Sequence, residues 1–85
     1  MENQTREQIL AASLDARLQE VMHYQINIDN YTLALAEIEN LPEQDRYELR
    51  VFADQLQNLL ISEILEQKKA NIMLAVVKKQ LTATE

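Results

Sequence analysis

Glu20-Val21-Met22-His23 spells Glu-x-x-His. On a helix this spacing sets a carboxylate and an imidazole on one face, where both can reach the same metal ion. Carboxylate-bridged di-metal bundles use such a motif from two helices and a single Glu from each of two others. A chain folded back near residues 41–42 would bring Glu20 level with Glu63, and a second copy would complete the set. Two features weigh against this chemistry. His23 falls on the flank of the apolar pattern rather than within it, and it is the only histidine. Glu20, His23 and Glu63 are the metal-ligand candidates, but the expectation is a protein without metal or other cofactor.

The remaining reactive side chains give less. There is no cysteine, and no glycine to form a phosphate-cradling loop. Ser13 and Ser62 stand in no nucleophile motif. Lys68-Lys69 and Lys78-Lys79 do not share one side of a helix, so they suit solubility and a helix C-terminus better than a phosphate track. Arg17, Glu63 and Gln67 interrupt otherwise apolar positions. They fit polar insertions that set helix register, with Arg17 expected near Glu66 and within reach of Glu63. No enzyme activity and no small-molecule substrate are expected.

The elements that carry these residues follow from composition. Without glycine and with Pro42 as the only proline, tight β-turns are nearly excluded, and the chain reads as all-α. Thr5 and Gln8 form a capping-box pattern ahead of Ile9 and Leu10. From there a stripe with alternating spacings of four and three runs Leu10, Leu14, Arg17, Val21, Tyr24, Ile28, Tyr31, Leu35, Ile38. It stays in register through His23–Ala34, although Asn27, Asp29, Asn30 and Thr32 are poor helix formers. A first helix over about 5–40 is therefore expected, with a possible kink near Asp29-Asn30.

Leu41-Pro42 ends that helix, since the residue before proline is driven from helical geometry. Pro42 with Glu43 and Asp45 suits the start of a second helix, expected over about 43–80. Its stripe is Leu49, Ala53, Leu56, Leu60, Glu63, Gln67, Ala70, Leu74, Val77, Leu81, widened on one flank by Phe52 and Leu59. A corner of two residues makes the helices antiparallel neighbours. Residues 1–85 thus read as a single helical-hairpin domain, with 81–85 a frayed tail.

Each helix carries more apolar surface than one seam requires. Leu18, Met22, Ile26, Leu33 and Ala36 form a second face on the first helix, roughly 120–140° around from the stripe. Tyr47, Ile61, Leu65, Ile72 and Val76 lie nearly opposite the stripe of the second. Hydrophobic residues make up 47% of a chain with little interior, so these faces are expected to be an interface. A homodimer, as a four-helix bundle or coiled coil, would cover them.

The charge of −6 is concentrated in residues 1–42, which hold seven acids against two bases. Such a chain repels phosphate backbones, so direct nucleic-acid binding is not expected. The polar start lacks a signal-peptide core, and no apolar run reaches the roughly 20 residues of a membrane span. A cytoplasmic location is the default. The leading expectation is a small acidic adaptor, assembly factor or regulator that binds another protein through helix packing. An acidic mimic of nucleic acid, inhibiting a DNA- or RNA-handling protein, is the alternative, and the di-metal bundle comes third.

Overall fold

The computed structural model of the protein describes residues 5–83. Three helices follow in order: α1 over Arg6–Glu39, α2 over Glu43–Glu48 and α3 over Arg50–Ala83. α1 and α3 pack along their length as an antiparallel hairpin, measuring 66 × 23 × 16 Å overall. The radius of gyration is 19.2 Å, against about 12 Å for a compact domain of this length.

The α1 N-terminus is closed by the expected capping box. The Thr5 hydroxyl accepts from the Gln8 amide at 3.1 Å, and Gln8 Oε1 accepts from the Thr5 amide at 2.9 Å. α1 then runs as one unbroken helix through His23–Ala34 and past Asp29-Asn30. The polar residues there spend their hydrogen bonds along the helix instead of disrupting it. Gln25 Nε2 donates to Asp29 Oδ1 at 2.9 Å, and the Thr32 hydroxyl donates to the Ile28 carbonyl at 2.7 Å. From across the hairpin, Gln67 Nε2 donates to the Val21 carbonyl at 3.3 Å and to Gln25 Oε1 at 2.9 Å. Packing and register outweigh weak local propensity here. Asn30 is exposed and carries no such bond among the described residues, so its propensity cost is uncompensated. Asn30→Ala is expected to raise stability by about 0.5 kcal/mol, read as a higher denaturant midpoint.

The second helix is not the single piece expected over 43–80. It is interrupted at Leu49, whose φ of −97° and ψ of 10° leave helical geometry. Flanking bonds bridge the gap, from the Leu49 amide to the Asp45 carbonyl and from the Ala53 amide to the Leu49 carbonyl. Arg50 braces it, donating to the Tyr47 carbonyl at 2.8 Å with its guanidinium 4.1 Å from the Tyr47 ring centre. At the far end α3 continues to Ala83, so residues 81–83 are helical rather than frayed. The rest of the expected tail, 84–85, lies outside the described residues.

Both expected stripes form the hairpin seam. All nine stripe residues of α1, and all ten that Leu49 and α3 contribute, are at least partly shielded from solvent. Complete burial is rarer: only Leu56, Ala70, Leu74 and Val77 are buried among the described residues. Phe52 and Leu59, expected to widen the seam, are exposed. Two helices alone enclose a line of contacts rather than an interior.

Candidate interaction surface

The register between α1 and α3 fixes which side chains meet. Gln67 on Val21 and Gln25, and Arg6 on Gln80 at 2.9 Å, place Glu20 level with Glu66 to Ala70. The expected pairing of Glu20 with Glu63 is off by roughly one helical turn. Asn40-Leu41-Pro42 together with the first turn of α2 round the corner, so more chain is spent there than a two-residue turn would use. Arg46 holds that corner by donating to the Leu41 carbonyl at 3.1 Å.

The corrected register takes Glu63 out of level with Glu20. Glu20 pairs with Arg17 at 3.2 Å, His23 is exposed, and Glu63 sits on the seam level with His23 to Asn27, about one turn or more from Glu20. Among the described residues no three His, Cys, Asp or Glu side chains gather where a metal could be held. The expected bond from Arg17 to Glu63 or Glu66 is likewise replaced by local pairs. Arg17 takes Glu20 three residues on, and Glu66 takes Lys69 at 3.1 Å. Partners one turn away on the same helix need no agreement between the two helices. These four residues, with Tyr24 and Met73, rim a shallow cleft of about 100 Å³. Its charges pair within their own helices, so these two ion pairs give the cleft no net charge.

Glu63 is the one polar insertion without compensation. Its Oε2 is enclosed with no hydrogen-bond partner. A carboxylate oxygen removed from water without a bond carries a desolvation cost. Glu63→Leu is therefore expected to stabilise the hairpin by about 1–2 kcal/mol, seen as a higher melting temperature. An unchanged or lower value would show that Glu63 is satisfied in solution.

The interface candidates behave as a group. Leu18, Met22, Ile26, Leu33, Tyr47, Ile61, Leu65, Ile72 and Val76 are all exposed, from 38% for Leu18 to 64% for Leu33. Their placement follows from a simple offset. Met22, Ile26 and Leu33 each precede a seam residue of α1 by two positions, and Tyr47, Ile61, Leu65 and Ile72 do the same in the second helix. Two residues are about 200° of helix, so these side chains lie on the edges of the hairpin, opposite the seam. Val51 belongs to the same row. The continued spacing of four from Tyr47 was the signal for it, and the sequence reading missed it.

The two edges differ in charge. On α1 the row carries Asp15 and Asp29, each seven residues from Met22, and the only basic residues of that helix turn elsewhere. Arg17 faces the seam and Arg6 reaches Gln80. On α3 the row carries both Asp54 and Lys68. No helix among the described residues is long and apolar enough to cross a membrane. Comparison with known proteins adds no further guide, since no family model, curated protein or solved structure matches the chain.

Proposed function

We propose that the protein is a non-enzymatic interaction module, an adaptor, assembly factor or regulator that works by helix packing, and that its resting form is a homodimer. The observation that carries this reading is the imbalance of apolar surface. Among the described residues fifteen large hydrophobic side chains are exposed, while four residues are buried. The accessible surface is 6611 Å², against about 5,200 Å² for a compact monomer of this mass. The excess is of the order that a specific interface hides on each partner, about 800 Å².

Association of two hairpins brings four helices together, as a bundle or a coiled coil, and covers an edge that water would otherwise wet. The α1 edge has Asp15 and Asp29 beside Met22, Ile26 and Leu33 and offers no cation. It suits a second protein that presents a basic amphipathic helix. Self-pairing of that edge would crowd carboxylates, which favours giving it to a different protein.

Thermal melting at several protein concentrations tests the resting form. A dimer that unfolds to monomers melts about 5–10 °C higher after a hundredfold increase in concentration. A melting temperature independent of concentration would contradict it.

A further inference from the structure

We propose that the homodimer forms through the outer edge of α3, as an antiparallel pair of α3 helices related by a two-fold axis at Ile61. This rests on the dimeric reading and names the surface that serves it. The edge row is Tyr47, Val51, Asp54, Asn58, Ile61, Leu65, Lys68, Ile72 and Ala75, spaced alternately by four and three. That spacing is the sequence pattern of a helix that packs along a second helix. Tyr47, Val51, Ile61, Leu65 and Ile72 are the five most exposed large hydrophobics of α2 and α3, at 53–63%.

The row is complementary to itself when reversed. Asp54 lies seven residues before Ile61 and Lys68 seven after it. A two-fold axis at Ile61 therefore sets Asp54 of each copy against Lys68 of the other, twice over. Ala75 stands fourteen residues after Ile61, while Tyr47, fourteen before it, lies in α2 across the break at Leu49, so the pairing of α3 with α3 runs from Val51 to Ile72. Val51 meets Ile72. Neither Asp54 nor Lys68 makes an ion pair inside the hairpin among the described residues. A shift of one heptad in either direction breaks this arrangement, because it places Asp54 or Lys68 against Ile61 of the other copy. One register is thus selected over its neighbours, and the opposed charges select it.

The geometry also decides between the two forms of association. In a square four-helix bundle the second contact of each helix lies at about a right angle to the first. The α3 edge lies opposite the seam, so pairing through it joins the hairpins side by side, with α3 against α3 in the centre. The α1 edges stay on the outside, free for the basic helix of a different protein. A second copy fits the α3 edge better than the α1 edge, where reversal sets Asp15 against Asp29.

Charge reversal and cross-linking test this together. Asp54→Lys or Lys68→Asp alone is expected to raise the dimer dissociation constant at least about tenfold, because each change acts twice across the axis. The double variant is expected to return it to within about threefold. Both residues are exposed, so helix content should be unchanged. In this cysteine-free chain Ile61→Cys is expected to oxidise readily to a linked dimer, and Ile26→Cys, equally exposed on α1, should not. A dimer indifferent to both reversals and unlinked through Cys at 61 would overturn the α3 edge while leaving the dimeric reading intact. It would point to the flank of Phe52, Leu59 and Met73. A monomeric wild-type chain would overturn both.

Discussion

Leu74→Ala is expected to remove about 2–4 kcal/mol of stability, measured as a lower urea midpoint of the helical signal. Leu74 is 8% exposed and is one of four buried residues among those described. Removing its branched end leaves a gap between two helices that have no second layer to collapse into it. A chain of this length is stabilised by roughly 4–13 kcal/mol in all, so a large share of the margin would go. Leu33→Ala is the matched control, because Leu33 is 64% exposed on the α1 edge. Its effect should stay within about 0.5 kcal/mol. Equal effects at the two positions would mean that the seam has been placed on the wrong face.

Leu65→Glu combined with Ile72→Glu is expected to convert the dimer to a monomer, raising its dissociation constant at least about a hundredfold. Two-fold pairing brings four added carboxylates into the row, where the two Lys68 ammoniums already face Asp54, so the acids outnumber the cations and carry a desolvation cost. Glutamate forms helices well, and both positions face away from the seam, so the hairpin itself should persist. Equilibrium sedimentation beside circular dichroism separates these effects. The same substitution at Met22 and Ile26 should leave the mass of the assembly unchanged. If the α1 pair dissociates the dimer and the α3 pair does not, the two edges have exchanged roles.

The seam itself was readable in the sequence. Alternating spacings of four and three carried Leu10 to Ile38 and Leu49 to Leu81 onto shielded positions, and they did so across Asp29-Asn30, where local propensity pointed to a kink. Side-chain periodicity is an average over many turns and survives a few unfavourable residues. The edge residues were readable for the same reason, since a row opposite the seam repeats with the same spacing.

The corner was not readable in this way. Leu49 reads as an ordinary seam residue, yet the helix axis is interrupted there. How much chain a corner uses depends on backbone geometry and on bonds such as Arg46 to the Leu41 carbonyl, neither of which a pattern of apolar residues records. The resulting shift of about one turn carries along the length of the hairpin. It moved Glu63 out of level with Glu20, so the two are not paired across one hairpin as expected. Arg17 shows a second limit, because its choice of Glu20 over Glu63 or Glu66 is made by rotamers and local distance.

Equilibrium sedimentation of the purified chain at micromolar concentration tests self-association most directly, because it reports mass independently of an elongated shape. The expected result is a single species of about 20 kDa, twice the 9.9 kDa of one chain, dissociating on dilution. A species that stays at 9.9 kDa across the concentration range would contradict the homodimer, and with it the pairing of α3 edges at Ile61.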